Sequence, residues 1–312
     1  MGRNRPSISI VIPVYCAEQT ITSLVEQLFQ YLPELADEYE VLLVNDGSKD
    51  NSWQTIEEIV KTYPKVTGIN LMRNYGQHNA LLCGIRAAKH EVVVTMDDDL
   101  QHPPETIHIL LEKLKEGADV VYGSPITENH GLFRDAASLI TKMVLSSVMS
   151  VDTARYVSAY RAFRTDLRDA FVNYQGSNVS IDVLLSWGTS RFAYVKVEHH
   201  ARTVGESNYT LRKLISHAMN MITGFSTIPL RISSGIGFLF TVFGIIVLFY
   251  TLIHYLIVGG VVPGFTFTAS LIAIFSGAQL FALGIMGEYL ARMHFRLMDK
   301  PSYAIKTKIQ HD

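Results

Sequence analysis

At 312 residues the chain can hold one sizeable soluble domain and a further segment, and a formal net charge of −2 excludes a bulk electrostatic case for nucleic acid or an acidic tail. Two cysteines, Cys16 and Cys83, with no Cys/His metal spacing around them, exclude a disulfide framework or zinc ribbon and fit a reduced, cytoplasm-facing setting. Apolar residues are unevenly distributed: Ile232 to Val258 and Phe265 to Gly287 contain no Asp, Glu, Lys or Arg.

The residues before the first strand include Arg3 and Arg5 but no apolar run, so no cleaved signal peptide is expected. Ser7 to Tyr15 reads as a buried strand ending at Pro13, and Thr20–Leu32 as a helix. A second strand, Tyr39–Val44, ends in Asn45-Asp46-Gly47-Ser48. Helix Ser52–Tyr63, strand Val66–Leu71 and helix Gln77–Ala88 follow, then strand Glu91–Met96, helix Pro104–Glu116 and strand Asp119–Tyr122. Strands alternating with helices at this spacing predict an α/β fold, a mainly parallel sheet with helices on both faces. Ligands of such sheets sit beyond the carboxyl ends of the strands. Those ends carry Pro13-Val14-Tyr15, Asn45-Asp46-Gly47-Ser48, Arg73-Asn74-Tyr75-Gly76 and Asp97-Asp98-Asp99, so four polar clusters are expected on one edge.

The fourth cluster is the most informative. Val92-Val93-Val94 runs into three adjacent carboxylates, and Pro103 and Pro104 open the next helix where a missing N–H costs little. Adjacent carboxylates repel one another unless solvated or bound to a cation. Hard oxygen donors suit Mg²⁺ or Mn²⁺, which also take phosphate oxygens; an acidic solvated loop is the other reading. Asp97, Asp99 and Gln101 share one side of an extended segment and Asp98 points away, so Asp98→Ala should be milder than Asp99→Ala. No G-x-G-x-x-G follows the first strand and no Walker loop occurs, which disfavours a dinucleotide-binding enzyme or a P-loop NTPase. Asp46 is left as a candidate acceptor for a base N–H, and a divalent ion as a candidate clamp for a diphosphate.

Beyond Tyr122 a polar loop through Gly131 is expected, then a helix over Phe133–Met149. Strand Ser158–Phe163, helix Thr165–Asn173, helix Ile181–Trp187 and strand Phe192–Val197 come next. His199 and His200 open a polar loop to Tyr209 and lack further ligands nearby, which favours a solvated loop over a metal site. Leu211–Phe225 has amphipathic helical spacing, suited either to a bilayer interface or to core packing. The two uncharged stretches each exceed the ~20 residues a membrane helix needs. Small residues such as Gly235, Gly237, Gly244 and Gly284 would let the two helices pack closely. Arg212, Lys213 and Arg231 precede the first span and Arg292, Arg296 and Lys300 follow the second, which predicts cytoplasmic ends. Pro301 to Ile309 alternates at strand period and either adds an edge strand or bridges to another subunit.

Taken together, Pro13-Val14-Tyr15-Cys16-Ala17-Glu18, Asn45-Asp46-Gly47-Ser48, Asn74-Tyr75-Gly76-Gln77-His78, Asp97-Asp98-Asp99-Leu100-Gln101-His102-Pro103-Pro104-Glu105 and Gly205-Glu206-Ser207-Asn208-Tyr209 resemble family 2 glycosyltransferases of the polyprenyl-phosphate branch. That branch includes dolichyl-phosphate mannose synthases and undecaprenyl-phosphate glucosyl- and aminoarabinose-type transferases. The resemblance spans nearly the whole chain. It implies a GT-A-like, Rossmann-like fold followed by a two-helix transmembrane hairpin. It also implies inverting transfer of a sugar from a nucleotide-sugar, UDP-linked before GDP-linked, to undecaprenyl or dolichyl phosphate. By resemblance, Asp97, Asp99 and Gln101 hold Mg²⁺ or Mn²⁺, and Asp97, Asp99 and Arg202 form the catalytic set. Pro13, Tyr15, Glu18, Asp46, Asn74, Gly76, His78, Asp97 and Asp98 contact the nucleotide-sugar, and Arg134, Arg161 and Ser207 the acceptor phosphate.

Several positions depart from the family pattern. Cys16 stands where Asn is usual, Asn45 where Asp is frequent, Pro125 where many members carry Arg, and Asn208 where Lys is usual. The expected organisation is a cytoplasmic transferase domain at 1–210, an interfacial helix at 211–231, two spans within 232–290 (232–258 and 265–287) and a cytoplasmic tail at 291–312. The lipid bilayer of the inner membrane and further copies of the chain are the expected partners, with no nucleic acid. Two competing readings are a processive polysaccharide synthase, whose Gln-x-x-Arg-Trp motif is absent around Trp53 and Trp187, and a nucleotide-sugar-binding subunit without turnover.

Overall fold

The computed structural model describes residues 5–126, 149, 153, 156–176, 179–200, 226–258 and 264–311. Arg134, Arg202, Ser207, the segment Leu211–Phe225 and nearly all of the helix expected before Met149 lie outside the described residues. The chain divides into two compact units, Met1–Ala218 with Asp299–Asp312, and Met219–Met298.

In the first unit the described strands form one eight-stranded sheet. In chain order the elements are β1 (Ile8–Val14), α1 (Ile21–Leu35), β2 (Tyr39–Asn45), α2 (Ser52–Thr62), β3 (Val66–Leu71), α3 (Gln77–Ala87), β4 (Val92–Thr95), α4 (Ile107–Lys115), β5 (Val120–Pro125), β6 (Arg161–Arg164), α5 (Ile181–Gly188) and β7 (Phe192–Val197). The last strand, β8 (Ile305–Gln310), comes after the second unit. The spatial order is β7-β5-β6-β4-β1-β2-β3-β8. Neighbours β4-β1-β2-β3 are parallel, as are β5 and β7, whereas β6 and β8 run against their partners.

Every residue of β1 is buried, which is why it reads as an almost unbroken apolar run: a central parallel strand is covered on both faces. Its one hydroxyl, Ser9, donates to Glu40 at 2.7 Å, so the buried polar group is paired. Ile21, Leu24, Val25, Leu28 and Leu32 of α1 recur at helical spacing and are all buried. Full burial contributes about 1.5–3 kcal/mol for each such side chain.

Several boundaries differ from expectation. β5 continues through Gly123-Ser124-Pro125, where a polar loop was expected, because its parallel ladder with β7 runs on to Pro125 opposite Val197. The segment after β6 is a 3-10 turn over Thr165–Ala170 rather than a longer helix. There Arg168 donates to the carbonyls of Ile85, Arg86 and Ala88 at the end of α3, satisfying oxygens that a helix C-terminus leaves open. The strand expected from Ser158 begins only at Arg161.

The second unit holds α6 (Ile228–Val258) and α7 (Phe265–Leu297). Both are long and apolar enough to cross a membrane. α7 runs ten residues beyond the span end expected at Gly287, through Glu288, Arg292 and Arg296 to Leu297. Phe240 and Phe275 meet edge to face at 5.5 Å, and Gly244 lies under Phe275. A Cβ added at Gly235, Gly237, Gly277 or Gly284 would meet nothing within 4 Å among the described residues, so of these glycines and Gly244 only Gly244 lies against a neighbouring side chain.

Candidate active site

The carboxyl ends of β1, β2, β3 and β4 lie side by side, and their following segments are laced together by hydrogen bonds. After β1, the Tyr15 amide donates to Asp98 Oδ2 at 3.0 Å, which joins the ends of β1 and β4. The next three amides reach across to the segment after β2: Cys16 to Ser48 Oγ, Ala17 to Ser52 Oγ and Glu18 to Asp50 Oδ2. Glu18 in return accepts from the Asn51 amide at 2.9 Å. Cys16 has φ +55°, a left-handed conformation that Asn tolerates better than most side chains, which gives a backbone reason for the Asn usual there.

Behind this lacing sits a buried amide relay. Asn45 Nδ2 donates to Asn70 Oδ1 at 2.9 Å, and Asn45 Oδ1 accepts from Ser48 Oγ at 2.5 Å. Gly47 (φ +64°) turns the chain against the next loop: a Cβ there would lie 2.5 Å from both Arg73 C and Asn74 N. Gly47→Ala therefore carries a left-handed cost of about 1–2 kcal/mol plus a backbone clash. It is expected to lower the melting temperature of this domain by a few degrees, measured by thermal unfolding of the full chain.

Asp46 is almost wholly buried, and its carboxylate accepts from the amides of Tyr75 at 2.7 Å and Gly76 at 2.8 Å. Burial pushes this carboxyl up, opposed by those two amides and by the charge of Arg73. Its observed work is to hold the loop after β3, whatever it offers a base. Arg73 stacks over the Tyr75 ring at 4.5 Å, Asn74 is exposed, and Gly76 (φ +94°) opens α3. His78, in the first turn of α3, accepts from the Ile181 amide at 3.3 Å and so anchors the start of α5.

β4 ends at Thr95, short of the acidic triplet. Asp97 Oδ1 accepts from Gln77 Nε2 at 2.6 Å, and Asp99 Oδ1 from the Gln101 amide at 3.2 Å. Leu100 between them has φ +60°. Asp99 to Gln101 is thus a turn, and the expected strand-period alternation of Asp97, Asp99 and Gln101 is corrected. The Gln101 carbonyl accepts from the His200 amide at 2.9 Å, so the adjacent histidines come back to the acidic segment. His102 is buried, stacked on Tyr160 and edge-on to His199, and burial with the charge of His199 lowers it to about 4.

Arg161 has a different setting from the acceptor-facing one expected. Its side chain is 2% exposed and ion-paired with Asp182, itself 6% exposed, which also accepts from Tyr122 Oη at 3.0 Å. A guanidinium committed in this way braces β6, β5 and α5. Asp182 was legible only indirectly: an acid in an apolar helical stretch must find a partner once buried.

No group of three or more His, Cys, Asp or Glu side chains among the described residues forms a ready metal cage. The donor set still fits Mg²⁺ or Mn²⁺ held jointly with a diphosphate. Asp97 and Asp99 supply hard oxygens at a partly exposed turn, and such ions keep positions for water and phosphate.

Residues 9–174 match the model of glycosyl transferase family 2. A Proteus mirabilis protein named undecaprenyl-phosphate 4-deoxy-4-formamido-L-arabinose transferase is 33% identical over 302 residues, covering 96% of this chain and 93% of the relative. A protein of the same name from Shewanella sediminis is 34% identical, over 98% and 93%. Among solved structures, glucosyl-3-phosphoglycerate synthase from Mycobacterium tuberculosis, crystallised with Mn²⁺, UDP and glucosyl-3-phosphoglycerate, superposes with a TM-score of 0.52. It is 20% identical over 70% of this chain and 78% of that one, a likeness of fold.

Proposed function

The chain belongs to glycosyl transferase family 2, and from that premise we propose that it transfers a sugar from a UDP-linked donor to undecaprenyl phosphate with inversion. The observation that carries this reading is the extent of the likeness: relatives named as undecaprenyl-phosphate sugar transferases match the chain from the transferase domain through both apolar helices.

In the proposed reaction an oxygen of the lipid phosphate attacks the anomeric carbon. The bond from that carbon to the diphosphate oxygen breaks, and UDP departs with the electron pair. A lipid phosphate is already anionic at neutral pH, so it needs orientation more than a strong base. Pro13, Tyr15, Glu18, Asn74 and Gly76 would line the nucleotide, with Asp46 and His78 holding the walls. Asp97 and Asp99, with Gln101, would hold Mg²⁺ or Mn²⁺, which offsets the charge gathering on the leaving diphosphate. Arg202 would face the diphosphate, and Arg134 and Ser207 the acceptor phosphate. Arg161 would act behind them through Asp182. With α6 and α7 crossing the inner membrane, the transferase domain would work on its cytoplasmic side.

The test is a panel of nucleotide-sugars, UDP-4-deoxy-4-formamido-L-arabinose included, offered with undecaprenyl or dolichyl phosphate to the full chain in detergent. One UDP-sugar should yield a lipid-linked product by mass spectrometry, and EDTA should stop the reaction until Mn²⁺ or Mg²⁺ is restored. No product from any pair would remove the reading.

A further inference from the structure

We propose that residues 302–310, which follow α7, form a positioning strap for the donor site by tying down the loop Met72–Gly76. The inference rests on the transferase reading above for its effect on turnover, and on geometry alone for the tie itself.

The loop is held on its inner side by Asp46, through the Tyr75 and Gly76 amides, and by Gln77, whose amide reaches Asp97. Its entry is held by the residues that follow α7. β8 pairs antiparallel with β3 from Thr67↔Gln310 to Leu71↔Ile305, with an irregularity between Asn70 and Leu71. The pairing does not stop where β3 stops. Ala304 O accepts from the Met72 amide at 2.9 Å, the first residue of the loop.

The residues just before β8 are fixed in turn. Tyr303 packs on the same buried cluster as Tyr75, formed by Val44, Ile69, Leu71, Ala80 and Cys83. The Arg86 guanidinium lies 5.6 Å from the Tyr303 ring, with Nη1 donating to the hydroxyl at 3.5 Å. Ser302, 3% exposed, donates to Gly176 O at 2.8 Å. The strap thus grips the loop, α3 and the segment before α5 within three residues.

Its contribution is local. β8 is exposed along its length apart from half-buried Ile309, so it adds little core. Met72, Arg73 and Asn74 are exposed and gain little from burial, so the order of the loop rests on its ties. Losing the entry tie adds backbone freedom that donor binding must then remove. A cost of that kind falls on the donor KM and leaves kcat and the acceptor KM in place.

The experiment compares the full chain with Tyr303→Ala, Tyr303→Phe and a stop after Asp299, reading amide exchange and kinetics. In Tyr303→Ala, exchange at Met72 to Gly76 should quicken about tenfold or more and the donor KM should rise about tenfold, with kcat and acceptor KM within about twofold. Tyr303→Phe, which keeps the ring on its cluster, should restore both, and the truncation should exceed Tyr303→Ala. Unchanged exchange and donor KM in both Tyr303→Ala and the truncation would overturn the strap. So would exchange quickened equally in β1 and β2, the mark of general loosening. Exchange is read without sugar transfer, so a wild-type chain inert toward every lipid phosphate would remove the transferase reading and leave this test intact.

Discussion

Asp99→Ala is expected to lower sugar transfer at least about 10³-fold, whereas Asp98→Ala costs about tenfold. The two side chains are adjacent but differently employed. Asp98 spends an oxygen on the Tyr15 amide, so its loss loosens the junction of β1 and β4 while leaving the other ties across that edge. Asp99 closes the turn at Leu100 and is one of the two carboxylates proposed, with Gln101, for the divalent ion. Losing it leaves the charge of the departing diphosphate without several kcal/mol of stabilisation, and each 1.4 kcal/mol is tenfold in rate. Transfer of radiolabelled sugar to undecaprenyl phosphate, at saturating Mn²⁺, measures both variants. Full activity in Asp99→Ala would sink the assignment of the acidic turn.

Asp182→Ala is expected to destabilise the transferase domain by about 3–5 kcal/mol, because it strands the Arg161 guanidinium in a dry interior. The Tyr122 hydroxyl loses its acceptor in the same step. A domain of this size should then melt roughly 10 °C lower. Trp53 and Trp187, the only tryptophans, both belong to this domain, so their fluorescence follows its unfolding in the detergent-solubilised full chain. Pairing Asp182→Leu with Arg161→Met should recover much of the loss, since removing both charges removes the stranded one. A loss below about 1 kcal/mol in Asp182→Ala would show that water reaches the pair.

What the sequence made legible follows from how local each signal is. β1 to β4 are found because buried parallel strands read as runs of β-branched and aliphatic residues between turn signals. The strands at the joins were harder. β5 keeps going through Gly123-Ser124-Pro125 because β7, distant in sequence, offers it a partner. The 3-10 turn at Thr165–Ala170 is shaped by Arg168 serving the end of α3. At the site, residue types and the shared strand edge were legible, but the use of each side chain was not. Asp46 looked like a contact for a base, yet both of its oxygens hold loop amides. Arg161 reads as a candidate phosphate contact, and its ion pair with Asp182 is visible only in the fold. Such assignments depend on partners from other elements, and no single stretch of sequence states them.

The pairing of β3 with β8 also sets an order of events during synthesis. The ribosome delivers β1 to β3 early, then both long apolar helices, and only after them the strand that lies against β3. Until then the nascent chain shows an unpaired edge along Val66–Leu71, the kind of surface that invites wrong partners. The Met72 amide waits with it. A chain interrupted after α7 would carry every residue of the acidic turn and still lack the finished sheet. Completion of the sheet therefore comes after the segments fitted to anchor the protein have been made.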